Sequence, residues 1–214
     1  LFNMKLSKKE STDSTISINP RSNNKYLNPF LFLHCISQII GWIYILYELI
    51  KYSLNYHDSV SLAKCLYILK YTQLLQYFDV IFAFFKITKT NLFASLIQIS
   101  GRVMSVLIFY NEHTPRKIIL LTIYAWGISE IIRFFSYLFK DKYITQLLRY
   151  NLFIILYPCG VIGELLAIEY YRANFYEDSP ILYWRLVQIL FVIFFLYLYA
   201  YLFKNRKKFY SKVI

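Results

Sequence analysis

Apolar residues run through this chain in long continuous blocks, parted by short polar stretches. Six blocks approach the roughly 20 residues that a helix needs to cross the hydrocarbon of a bilayer. They lie at about 28–50, 63–87, 91–111, 117–139, 145–168 and 181–203. The first has no formal charge from Tyr26 to Tyr47, and the sixth has none from Leu186 to Phe203. The second is the least apolar and holds Lys64, Lys70, Asp79 and Lys86. Helices satisfy their own backbone in lipid, and the blocks lack the short alternation of barrel strands. The pattern predicts an all-α fold: a polytopic membrane protein with six transmembrane helices in one bundle.

The polar stretches set the organisation. Residues 1–25 are rich in Ser, Asn and Lys, which predicts a disordered tail. Residues 26–204 form the expected membrane domain, and 205–214 a basic tail. No soluble domain and no internal repeat is expected. The chain opens on Leu1, which reads as a fragment or a trimmed start, with Met4 as a candidate first residue. The first 25 residues show no charged stretch leading into an apolar core and a small-residue cleavage site, so a cleaved signal peptide is not expected. Lys5, Lys8, Lys9, Arg21 and Lys25 lie before the first block; Lys204, Arg206, Lys207, Lys208 and Lys212 follow the last. Six crossings put both ends on one side, and the excess of positive charge predicts that side to be cytosolic. The longer connections are expected near 51–62, with His57 and Asp58, and near 169–180. The second carries Glu169, Glu177 and Asp178 and falls on the far face.

Composition agrees. The 214 residues are 58% hydrophobic, with 22 Tyr and 19 Phe, and the formal net charge is +12. In a soluble chain that charge would point to nucleic acid. Here the basic residues gather in the ends and connections, so they read as topology signals that also attract anionic lipid. Membrane lipid is an expected partner; nucleic acid is not. Cys35, Cys65 and Cys159 show neither metal-ligand spacing nor a disulfide framework and read as small core residues.

Three consecutive blocks carry polar stripes. Gln98 and Arg102 are spaced i,i+4 and share a helix face. Trp126, Glu130, Arg133 and Tyr137 fall within about 60° of one another on a helical wheel, and Arg149, Tyr157, Gly160 and Glu164 within roughly 80°. An ionisable group at the bilayer centre costs about 2.5–3.5 kcal/mol on insertion scales, so these groups are expected to converge on a common interior. Glu130 and Arg133, at i,i+3, are expected to pair, an arrangement that equally serves to orient helices. Arg102 has no acid in its own block, so Asp79 or an acidic substrate is its expected partner. Glu164 has no basic residue one turn away. Pro158 disfavours a helical conformation at Tyr157, which predicts a kink, and Gly160 and Gly163 allow close backbone approach. A Tyr and a Glu on one side of a kinked helix suit acid/base chemistry; a packing face is the alternative.

These motifs, in this order, resemble the 3-hydroxyacyl-CoA dehydratase family, also called the protein-tyrosine-phosphatase-like membrane proteins. Gln38-x-x-Gly41-Trp42 resembles the end of the family's first span. Gln98-Ile99-Ser100-Gly101-Arg102 is similar to its Gln-x-x-Ser-Arg block. Trp126-Gly127-Ile128-Ser129-Glu130-Ile131-Ile132-Arg133-Phe134 is similar to its Trp-x-x-x-Glu-x-x-Arg-Tyr block. Arg149-Tyr150 through Leu156-Tyr157-Pro158-Cys159-Gly160-Val161-Ile162-Gly163-Glu164 resembles its Arg-Tyr…Leu-Tyr-Pro-x-Gly-x-x-x-Glu signature.

The resemblance implies removal of water from a (3R)-3-hydroxyacyl-CoA to give the trans-2-enoyl-CoA. In the family this is the third step of very-long-chain fatty acid elongation, in the endoplasmic reticulum membrane. It implies that Tyr157 and Glu164 are the catalytic pair, and that Gln98, Arg102, Glu130, Arg133, Arg149 and Gly160 support them. Asp79 stands where the family usually has Glu. Condensing and reducing enzymes of the cycle are the implied protein partners. The reaction takes a proton from C2 and protonates the departing C3 hydroxyl. One base and one acid suffice for that, with no cofactor and no metal called for. Tyr157 and Glu164 are two turns apart, roughly 10 Å along a helix, and spacing does not say which is the acid.

The chain departs from the family pattern elsewhere. Family serines correspond to Gly101 and Gly163, a second-span His to Phe82, a nearby Gly to Lys86, and a first-span Tyr-Asn pair to His34-Cys35. These departures motivate a second reading, a catalytically silent membrane scaffold or binding protein of the same family. A phosphatase is not expected, because the positions six residues after each Cys are Gly41, Tyr71 and Leu165 rather than Arg. Ser211-Lys212-Val213-Ile214 only partly resembles a dilysine retrieval signal.

Overall fold

The computed structural model describes residues 28–55, 59–88, 90–139, 142–176 and 180–213. The tail expected at 1–25 lies outside these residues, as do His57, Asp58, Glu177 and Asp178. Among the described residues every regular element is helical. They are α1 (Pro29–Leu54), α2 (Ser59–Leu75), α3 (Tyr77–Phe84), α4 (Leu92–Met104), α5 (Arg116–Leu138), α6 (Tyr143–Phe175) and α7 (Ile181–Val213). A π-helical turn, Ser105–Phe109, continues α4. Five stretches are long and apolar enough to cross a membrane: Pro29–Leu54, Leu92–Phe109, Arg116–Leu138, Tyr143–Phe175 and Ile181–Ser211. The chain is an all-α, multi-pass membrane protein.

Local chemistry explains the helix starts. The Asn28 side chain accepts from the Phe30 N–H at 2.9 Å, with Pro29 opening α1. Asn91 does the same for Ala94 at 3.1 Å at the start of α4. Each caps an N–H that the helix itself leaves unpaired.

The span expected at 63–87 is not one helix. It breaks at Gln76 into α2 and α3. The Gln76 N–H is shared between the carbonyls of Thr72 (3.3 Å) and Gln73 (3.1 Å), and its side chain donates to Glu130 at 3.2 Å. A tertiary partner on α5 thus sits at the break, and Asp79 of α3 is buried. The last two helices outrun the expected spans: α6 has 33 residues, and α7 continues to Val213 through most of the expected basic tail.

The kink expected at Pro158 is not a break either. α6 runs unbroken through it, with Tyr157 helical. Pro158 has no N–H to offer the Ile154 carbonyl one turn back. That carbonyl instead accepts from the Tyr199 hydroxyl of α7 at 3.1 Å, as neighbouring helices do for prolines in membranes.

The core lies where α1 packs on α2 and α5, and α5 on α6. Trp42, Ile45, Leu49, Leu69, Ile123, Phe134 and Ile168 are buried there. Gln38 and Gly41 join this seam. Gln38 donates to the Thr72 carbonyl at 3.2 Å, and a Cβ on Gly41 would meet Thr72 Oγ1 at 2.9 Å. Cys35 and Cys65 are core residues as expected, while Cys159 is half-buried. α7 stands at the edge, with only 6% of its most apolar window buried, so it turns most of its surface to lipid.

Candidate active site

Buried ionic groups from α1, α3, α4 and α5 form one chain. Glu130 sits at its centre. One carboxylate oxygen pairs with Arg102 of α4. The other takes Arg133 at 2.6 Å and Gln76 at 3.2 Å. Arg133 also reaches Asp79 at 2.7 Å, and Asp79 accepts from His34 Nε2 at 3.0 Å. Two arginines and two carboxylates balance, which is what burial away from water demands. The expected Glu130–Arg133 pair is present. The acid expected for Arg102 is corrected: Glu130 serves it, and Asp79 serves Arg133 and His34. His34 was not foreseen as part of this network. Its imidazole packs edge-on against Phe82 (5.4 Å) and Phe134 (5.6 Å).

Beside this network, α4, α5, α6 and α7 line an apolar cavity of about 410 Å³. Gln98, Arg102, Trp126, Tyr157, Gly160 and Glu164 all line it. Trp126 fits because residue 160 is glycine: a Cβ there would stand 3.1 Å from the indole. The indole in turn lies under the Arg102 guanidinium, 5.4 Å away. Arg102 is near enough to act electrostatically on both Tyr157 and Glu164. The Tyr157 ring stacks on Phe195 at 5.4 Å and Tyr199 at 6.1 Å. The groups at the ends of Gln98, Tyr157 and Glu164 have no hydrogen-bond partner among the described residues. Of the four buried acids among the described residues, Glu48, Asp79 and Glu130 are paired with basic side chains, and Glu164, at the cavity, is not.

A second cavity of about 810 Å³ adjoins the first. Gln98, Arg102, Ser129, Leu156, Tyr157 and Leu198 line both. Its walls are far more polar than those of the first, about half polar and half apolar, and include Asp79, Lys86, Asn91, Glu130, Arg133 and Arg149. Arg149 therefore faces this cavity and not Glu164, from which it stands 15 residues or about 22 Å along α6. It donates to Ser136 Oγ at 3.1 Å and lies over the Tyr137 ring at 4.9 Å. Sharing a helical face did not place Arg149 and Glu164 in one site.

The departures at Gly101, Gly163, Phe82 and Lys86 have distinct surroundings. At Gly101 a Cβ would meet nothing within 4 Å, so a serine fits there and its loss leaves space. At Gly163 a Cβ would stand 1.9 Å from Thr122 Oγ1; the threonine of α5 fills the room. That hydroxyl donates to the Ile118 carbonyl at 2.8 Å and accepts from Tyr110 at 2.9 Å. Phe82 lies against His34, so an imidazole from α1 stands beside the position where the family carries one. Lys86 has φ of 56°, in the left-handed region that glycine favours.

The family described as protein tyrosine phosphatase-like protein, PTPLA, matches residues 73–212. The chain belongs to that family. Among curated relatives, very-long-chain (3R)-3-hydroxyacyl-CoA dehydratase 1 of Canis lupus familiaris is 29% identical over 147 residues, covering 65% of this chain and 59% of the relative. Dehydratase 2 of Homo sapiens is 32% identical over 152 residues, covering 65% and 58%. Dehydratase 3 of Homo sapiens is 26% identical over 152 residues, covering 65% and 41%. The chain thus spans less than three fifths of the length of these curated relatives. No solved structure matches it. The matched region contains Asp79 and every residue that lines the apolar cavity, and it excludes His34.

Proposed function

We propose that this PTPLA-family protein is a (3R)-3-hydroxyacyl-CoA dehydratase of very-long-chain fatty acid elongation. The observation that carries the reading is that Tyr157 and Glu164 line one apolar cavity with their polar ends unengaged. The names of the curated relatives support it. In this reading the acyl chain occupies the apolar cavity and the CoA lies in the polar one, with Lys86, Arg133 and Arg149 near its phosphates. The C2–C3 bond lies between Tyr157 and Glu164. One of the two removes the C2 proton and the other protonates the departing C3 hydroxyl. Gln98 and Arg102 flank the thioester end. Glu130, Arg133 and Asp79 hold Arg102 by the charge chain, and Gly160 makes room for Trp126.

The protein would act in the endoplasmic reticulum membrane with both termini cytosolic, next to the condensing and reducing enzymes of the same cycle. The test is dehydration of a long-chain (3R)-3-hydroxyacyl-CoA by purified protein in detergent. Enoyl-CoA from the wild type supports the reading. No product from folded protein refutes it and leaves the silent scaffold.

A further inference from the structure

The apolar cavity is open on one side. Leu96 and Met104 of α4 keep 42% and 48% of their surface exposed, and Leu190 and Phe194 of α7 keep 50% and 42%. All four line the cavity, so the same side chains face the site and the outside. The two helices meet near the polar cavity, where Phe93 packs edge-on to Tyr197 at 5.7 Å and the Asn91 N–H reaches the Tyr201 hydroxyl at 3.3 Å. Farther along α4 the apolar cavity lies between them. On its wall Gly101 adds no side chain, and a Cβ there would meet nothing within 4 Å. The gap opens on the face that α7 turns to lipid.

We propose that this gap, rimmed by Leu96, Met104, Leu190 and Phe194, is a lateral window through which the acyl tail of the substrate passes from the site into the bilayer. The inference rests on the dehydratase reading for the identity of the tail. A bounded cavity would measure chain length and reject tails longer than itself. An apolar gap facing hydrocarbon does not, because a methylene is worth roughly 0.8 kcal/mol when it leaves water and nearly nothing when it moves between lipid and an apolar wall. The site therefore holds the carbons near the thioester and leaves the rest in lipid. Bulk added at the rim makes the site length-selective.

The test compares binding of decanoyl-CoA and eicosanoyl-CoA to wild type and to the Met104→Trp/Leu190→Trp double variant in detergent. The ratio of long- to short-chain affinity is expected to fall at least about tenfold in the variant, the worth of roughly two buried methylenes. An unchanged ratio, or equal loss at both lengths, overturns the window. A second measurement on wild type does not depend on how the variant folds. An eicosanoyl-CoA carrying a diazirine at its terminal carbon should label the rim residues or bound lipid; labelling inside the polar cavity overturns the proposal. Wild type that binds neither acyl-CoA overturns the dehydratase reading and the window with it. Binding of both with no rim effect overturns the window alone.

Discussion

The contact between Gly163 and Thr122 gives a sharp test of the α5–α6 packing beside Glu164. A methyl group on residue 163 would stand 1.9 Å from Thr122 Oγ1, 3.0 Å from its Cβ and 3.3 Å from its Cα. Rotating the Thr122 side chain removes only the first contact, because its Cβ and Cα stay where the helix puts them. Rotation also takes the hydroxyl away from Tyr110. The overpacking costs about 1–3 kcal/mol, and the lost hydrogen bond about 1 kcal/mol more. Gly163→Ala should therefore destabilise by about 3 kcal/mol. Thr122→Ala alone loses the Tyr110 bond and should cost about 1–2 kcal/mol. In that background the shortest contact is already gone, so adding Gly163→Ala costs less than it does alone. The double-mutant cycle should show a coupling of at least about 1 kcal/mol. Reversible unfolding by a denaturing detergent in mixed micelles reads all four proteins. A Gly163→Ala variant within about 0.5 kcal/mol of wild type, or strict additivity in the cycle, would refute the packing argument.

Three further perturbations probe the frame around the site. Glu130→Leu leaves Arg102 without its acid and Arg133 with one of two; a loss of about 3–5 kcal/mol is expected in the same unfolding assay, and a loss under about 1 kcal/mol would contradict the charge chain. Lys86→Gly removes a side chain from the left-handed region and should stabilise by about 1 kcal/mol; a lower melting temperature would contradict that. Tyr199→Phe keeps the ring against Tyr157 but frees the Ile154 carbonyl, at an expected cost of about 1 kcal/mol. A neutral result there would mean that α6 tolerates Pro158 without help from α7.

The parts legible in the sequence are those set along one helix. Block lengths gave five of the membrane helices, and i,i+3 spacing gave the Glu130–Arg133 pair. The Tyr157, Gly160 and Glu164 stripe was readable because all three sit on α6. What depended on a second helix was not readable. Gln76 breaks α2 from α3 without any Pro or Gly, through a bond to Glu130 that lies 54 residues away. The partner of Arg102 depends on how α4 and α5 are set against each other, and i,i+4 spacing carries no such information. Pro158 predicted a kink by its own chemistry, yet α6 runs unbroken through it, because the Ile154 carbonyl it leaves unpaired accepts from Tyr199, 45 residues away. Arg149 shares a face of α6 with Glu164, but helix rise sets it far along the helix, where it lines the second cavity. At Lys86 the residue type argues against a positive φ, and the family glycine at that position was the one sign of it.

The most direct test of the central claim measures binding and turnover on the same samples of wild type, Tyr157→Phe and Glu164→Gln. Saturated long-chain acyl-CoA reports binding, and enoyl-CoA formed from the (3R)-3-hydroxyacyl-CoA reports chemistry. The account predicts that all three proteins bind and only the wild type turns over, with each variant down by at least about a hundredfold. Turnover in either variant at the wild-type rate would contradict the assignment of the chemistry to this pair.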